Sequence, residues 1–302
     1  MLSQVSADIH SENFLIYGNQ ETETLEEITI KTRNLELSAL AWGSSDLPAV
    51  IALHGWLDNA ASFIPIAEHL ENLRLIALDM PGHGKSQHRA GVNAYHFIDY
   101  ATDVILAADA LGLENFSLLG HSLGAGVAGV ICSVIPERIN RLAMVEGLAP
   151  VTGPPERFVD QLRSHVDRAT QARVPPRTYK NLDDAAKARQ QAGLMSLASA
   201  RLIVRRNLIE SEDGFTWRTD RFLRQPSPVY LVEEHVTRYL ESIQCESILI
   251  RSKDGIILNW EALRGREKYL DRLTVIDIEG GHHCHMDLPE IVAHYVLPFL
   301  SG

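Results

Sequence analysis

The chain reads as an α/β protein: an eight-stranded, mostly parallel sheet with helices on both faces and a helical cap inserted after the sixth strand. Three observations carry that expectation. Short apolar runs rich in β-branched residues recur between turn signals. Helical patterns separate the later runs, as crossover connections between parallel strands require. Between about residues 150 and 240 the alternation stops and helical patterns take over.

Taken in order, TLEEITIKT (24–32) and LELSALAW (35–42) alternate in polarity and predict antiparallel edge strands. PAVIALHG (48–55) is nearly continuous in its apolar character, as a strand covered on both faces should be. LRLIALDM (73–80), NFSLLG (115–120), NRLAMVEG (140–147), ESILIRS (246–252) and RLTVIDIE (272–279) read the same way and bring the count to eight. Helices are expected over 60–72, 96–112 and 123–136. The interruption opens with Pro150 and the Pro154-Pro155 pair, contains a helical run at 194–210, and offers Asp213-Gly214 as a hairpin or turn. The expected division is a core of 1–150 and 241–302 and a cap of 151–240. Leu194, Leu197, Val204 and Leu208 are expected to bury the cap against the core.

Composition narrows the class. A net charge of −11 argues against a general nucleic-acid binder. No run of about 18 apolar residues exists, so no membrane span is expected. Three cysteines fit neither a disulfide framework nor a zinc pattern, and the N-terminus lacks a signal-peptide pattern, so a reduced, cytoplasmic protein is the expectation. The 151–240 segment holds 15 Lys/Arg and 11 Asp/Glu, a net of +4, leaving −15 elsewhere. Such arginines usually face solvent; selection of anionic substrates is the sharper alternative.

One stretch, LLGHSLGAGVAGV (118–130), holds two competing motifs. From Gly124 it is G-x-G-x-x-G, a dinucleotide loop, with Glu146 at a plausible distance to act as its acid. From Gly120 it is G-x-S-x-G, the sharp strand-to-helix turn that presents a nucleophilic serine. The first glycine of the dinucleotide motif falls four residues past the strand end, inside the helix, so the second frame fits better. Partners then follow in the order the chemistry needs: Asp254 just beyond the seventh strand and His282 just beyond the eighth. An oxyanion hole is expected from the backbone N–H groups of Leu123 and, in the HGWLDN loop, Trp56. The His-His-Cys-His run at 282–285 suggests a metal cluster only superficially, since neighbouring side chains diverge. GHGKS (82–86) fails as a phosphate loop because Asp79 stands where its first glycine belongs; Asp79 is expected to bond nearby backbone.

In this order and spacing, ALHGW, LDMPGHGKS, GHSLG, RSKD and GGHHCHMDLPE resemble the α/β-hydrolase fold family with a helical cap, most closely its serine-hydrolase-like esterase and lipase branch. The resemblance spans the chain from about residue 25 and is weak over the cap. It implies a second strand running antiparallel, a serine esterase mechanism and no cofactor. It also places the catalytic imidazole directly after Gly281, at His282 and not His283 or His285. Arg251 stands where the family often has glycine before the acid, and Glu146 ends a strand from which some members supply it, so Glu146 is the alternative acid. The expected function is a carboxylesterase for a small or medium ester: Ser122 attacks, His282 takes its proton, Asp254 orients the imidazole. A thioesterase or C–C bond hydrolase on the same triad, a non-catalytic ligand-binding member of the fold, and a dinucleotide oxidoreductase are the alternatives.

Overall fold

The computed structural model describes residues 8–9, 25–90, 95–171 and 176–302. In chain order the strands are β1 (Asp8–Ile9), β2 (Glu26–Lys31), β3 (Glu36–Trp42), β4 (Ala49–Leu53), β5 (Arg74–Leu78), β6 (Phe116–His121), β7 (Ile139–Val145), β8 (Leu208–Ser211), β9 (Gly214–Trp217), β10 (Glu246–Ser252) and β11 (Leu273–Ile278). The helices are α1 (Ile64–Ala67), α2 (Asp99–Ala110), α3 (Leu123–Val134), α4 (Phe158–Thr170), α5 (Leu182–Gly193), α6 (Leu197–Asn207), α7 (Glu233–Glu241), α8 (Ile256–Asn259), α9 (Cys284–Asp287) and α10 (Pro289–Ser301).

The main sheet runs β1-β2-β3-β5-β4-β6-β7-β10-β11. It contains the eight expected strands plus the two-residue β1 at its edge. β3 is antiparallel to both β2 and β5, and β5, β4, β6, β7, β10 and β11 are parallel. The continuous apolar runs have the cause expected of them, because alternate residues feed two cores. Ile51, Leu53, Phe116 and Leu118 point into a core with α2, α3 and α7, while Val50, Ala52 and Leu119 point into one with α1 and α10.

The segment 151–240 is helical as expected, with one hairpin. β8 and β9 pair across Ser211 and Gly214, and Gly214 has φ +118°, which settles the Asp213-Gly214 turn as a hairpin. The single helix expected over 194–210 is instead α6, whose start Ser196 caps by accepting from the Ser199 N–H, followed by β8, where Leu208 turns extended and pairs with Trp217. Val204 and Leu208 are buried in a separate small core with Tyr179, Met195 and Ile203. Leu194 does not join them. It occupies the left-handed position that ends α5 and is 83% exposed, which corrects its expected burial. α7 lies at the end of this segment, yet Val236 and Leu240 are buried in the main core beside α3.

Arginines of this segment reach the sheet domain, Arg206 among them. Arg206 on α6 bonds Asp79 through Nε, Glu27 through Nη1 and the Ser38 hydroxyl through Nη2. Asp79 also accepts from the backbone N–H groups of Ala60 (2.7 Å) and Lys85 (2.8 Å), the role expected of it. Gly84, at φ +51°, leaves room for that carboxylate: a Cβ there would sit 2.2 Å from Asp79 Cγ.

Candidate active site

The site forms at the C-terminal ends of the central strands. β6 ends in His121, and the chain then turns sharply into α3 through Ser122, whose φ of +53° and ψ of −115° place it in a strained region for a residue with a side chain. Two glycines permit the turn. A Cβ on Gly120 would lie 2.4 Å from Ala125 Cα, and one on Gly124 would lie 2.0 Å from the Leu53 carbonyl oxygen. The same contact closes the dinucleotide frame, because Gly124 is pressed against β4 and offers no face to a pyrophosphate.

His282, in the loop after β11, puts Nε2 3.0 Å from Ser122 Oγ. Its Nδ1 lies 3.3 Å from Glu146 Oε2. The structure thus brings Ser122 and His282 together as expected and seats Glu146, the alternative acid, behind the imidazole. Asp254 is not brought there. Its backbone N–H bonds the Gly280 carbonyl, extending the β10–β11 ladder past the strand, and the residue is exposed. Glu146 follows β7, the strand between β6 and β10, so it starts beside the elbow. Its carboxylate is fully buried and accepts from the N–H groups of Ser252 (2.6 Å) and Ile256 (2.7 Å). The glycine after Asp254 serves Glu146, since a Cβ on Gly255 would lie 2.0 Å from Glu146 Oε2.

Leu123 is the first residue of α3, so its N–H has no intrahelical partner. Trp56 lies in the loop after β4, where Leu57 has φ +62° and the Asp58 N–H bonds the Gly55 carbonyl. Neither the Trp56 nor the Leu123 N–H has a backbone partner among the described residues. His54 anchors this loop. Its Nε2 accepts from the Met80 N–H, which leaves Nδ1–H to donate to the Gly55 carbonyl. Burial lowers the His54 pKa and keeps this neutral form in place. The Trp56 indole donates to the Leu223 carbonyl at 3.0 Å and is half exposed.

Ser122 opens onto a cavity of about 630 Å³. Its walls are mainly apolar, with Phe97, Val151, Val229, Leu231, Ile256 and Trp260 among them.

Beneath the site lies a cluster that sequence reading did not find. Asp58, His121 and His283 each place a possible ligand atom within 4.8 Å of the others. Arg189 of α5 is salt-bridged to the same carboxylate, and a guanidinium there opposes a second cation. These side chains are better read as a polar network than as a metal site. Burial disfavours ionisation of Asp58, but Arg189 with His283 and His121 outweighs it and holds the carboxyl well below its usual range. Burial, with the neighbouring imidazoles, pushes the His121 pKa well down and that of His285 to about 3. The only sequence signal was the unusual density of histidine around 282–285.

A model of the alpha/beta hydrolase fold family matches residues 48–288. The chain belongs to that family. This α/β hydrolase is 29% identical over 284 residues to a serine hydrolase-like protein of Danio rerio, a match covering 88% of the chain and 85% of the relative. It is 30% identical over 295 residues to a serine hydrolase-like protein of Dictyostelium discoideum, covering 91% and 81%. Among solved structures, a hypothetical protein of Pseudomonas aeruginosa superposes with TM-score 0.87 at 37% identity, covering 94% of this chain and all (100%) of that one. Among the described residues, no helix of this α/β hydrolase is long and apolar enough to cross a membrane.

Proposed function

We propose that this α/β hydrolase is a serine hydrolase that cleaves small or medium carboxylic esters through an acyl-enzyme on Ser122. The observation that carries the reading is the continuous line from Ser122 Oγ through the His282 ring to the buried Glu146 carboxylate. With Nδ1–H donating to Glu146, Nε2 keeps the lone pair that accepts the serine proton. Ser122 Oγ then bonds the ester carbonyl carbon. The oxyanion is held by the N–H groups of Trp56 and Leu123, and His282 returns its proton to the leaving alcohol. Water repeats the sequence on the acyl-enzyme. Glu146, in place of Asp254, is the orienting acid in this proposal.

The apolar cavity favours a hydrocarbon-rich acyl or alcohol group, and segment 151–240 serves as its cap. A cytoplasmic location belongs to the same proposal and rests on the sparse cysteines. The test is intact mass after fluorophosphonate treatment with peptide mapping. A single adduct on Ser122, absent in Ser122→Ala, is the expected result; folded protein without an adduct overturns the proposal. A panel of matched esters and thioesters then fixes the leaving atom.

A further inference from the structure

One buried carboxylate outside the proposed triad touches several parts of the site. Asp58 is 1% exposed and lies two residues after Trp56, on the loop proposed to supply an oxyanion donor. Its Oδ1 is bound by the Arg189 guanidinium, which arrives from α5 of the 151–240 segment. Its Oδ2 lies 3.3 Å from His283 Nε2, and His283 follows His282 in the chain. The same oxygen is 3.7 Å from His121 Nδ1, and His121 precedes Ser122. His121 is bound in turn to the His loop, since its Nε2–H donates to the His282 carbonyl at 2.9 Å. The side chains that face Asp58 from outside its own loop are therefore the cap arginine and two chain neighbours of triad residues.

We infer that Asp58 and Arg189 are positioning residues: a buried ion pair through which the docked cap holds the oxyanion loop, the nucleophile elbow and the His282 loop in register. The inference rests on the serine-hydrolase reading of the site. Geometry gives the reason. Asp58 has no solvent to screen it, so without Arg189 it is an uncompensated buried charge that must draw a proton onto His283 or His121, or leave its pocket. Either response moves a backbone segment adjoining Ser122, His282 or Trp56. Misplacement of reacting groups by about 1 Å costs on the order of 100-fold in rate. Neither Asp58 nor Arg189 lines the Ser122 cavity, so their loss is expected in kcat and not in KM.

The experiment uses the full chain with Asp58→Asn, Arg189→Met and Arg189→Lys, and Lys187→Met as an exposed control on the same helix. Each is measured for kcat and KM on an ester that the wild type turns over, for the rate of fluorophosphonate labelling, and for the downfield proton resonance of the His282 Nδ1–H. Expected are about a 10- to 100-fold loss of kcat and labelling rate in Arg189→Met and Asp58→Asn, with KM within about twofold and a displaced Nδ1–H resonance. Arg189→Lys retains most of the rate by keeping the charge, Asp58→Asn combined with Arg189→Met is no slower than the slower of the two single variants, and Lys187→Met is unchanged. Folded Asp58→Asn with wild-type kcat and an unmoved resonance overturns the inference. So does a loss confined to KM, or Arg189→Lys as impaired as Arg189→Met. A wild type that does not label at Ser122 defeats the serine-hydrolase reading instead, and the His282 resonance still reports whether Asp58 and Arg189 position the loop.

Discussion

Replacing Glu146 by glutamine tests the arrangement of the site most sharply. The buried carboxylate has two oxygens and three N–H groups to satisfy: Ser252, Ile256 and His282 Nδ1. A glutamine keeps one oxygen. With its NH2 at the Oε2 position it faces the Ile256 N–H and His282, and the imidazole yields by moving its proton to Nε2; with its NH2 at the Oε1 position it faces the Ser252 N–H, and His282 keeps a neutral acceptor in place of a carboxylate. In the first arrangement His282 presents N–H to Ser122 and has no lone pair to take the serine proton. Locking an orienting imidazole in that tautomer costs about 10⁴ in kcat, or about 5 kcal/mol of transition-state stabilisation. Asp254→Asn, at an exposed position without contact to His282, is expected to change kcat by less than about twofold. Both variants are assayed by kcat on an activated ester and by the second-order rate of fluorophosphonate labelling, with thermal unfolding as a check on folding. A larger loss in Asp254→Asn than in Glu146→Gln refutes the reasoning and returns the acid to the end of β10.

Gly255→Ala is expected to impair the same step, since its methyl collides with the Glu146 carboxylate; labelling at the wild-type rate by folded Gly255→Ala argues against that packing. Arg206→Met leaves Asp79 buried and uncompensated, and is expected to cost about 3–5 kcal/mol in urea unfolding, where a change under about 1 kcal/mol counts against the pair. Stability is also expected to fall on mild acidification. His83 and His285 are buried with pKa values lowered to about 3, from the ordinary 6.5, chiefly by burial. The unfolded chain therefore binds protons on them below about pH 6.5 while the native state does not. Each contributes a loss approaching about 1.4 kcal/mol per pH unit as the pH falls from about 6 towards 4. Urea midpoints across that range, with His285→Gln flattening the slope, check it; equal slopes in both proteins contradict it.

The features legible from sequence were those set by neighbours along the chain. Gly120, Ser122 and Gly124 define the elbow because the turn they make is local, and each glycine answers a clash within a few residues or with the adjoining strand. The strand runs were readable because a doubly covered strand must be apolar on both faces. A histidine was expected from the place of the segment after the last strand, and the family resemblance singled out His282 from His283 and His285. The carboxylate behind its imidazole did not follow, because it depends on which strand end lies beside the elbow. Asp254 and Glu146 both follow strands at comparable positions in sequence. Sheet order puts β7 between β6 and β10, which gives Glu146 the interior place, with backbone donors around its carboxylate, and leaves Asp254 to solvent. The Asp58 network was out of reach for the same reason: its members sit at positions 58, 121, 189 and 283. No local pattern joins residues so far apart. Sequence by itself determined the strands and the serine and histidine on which the proposed mechanism rests, through steric and periodic rules that act over a few residues. Tertiary structure decided which carboxylate lies behind His282 and how Arg189 and Arg206 of the 151–240 segment are anchored, because buried charges are placed by whichever opposite charges the fold brings to them.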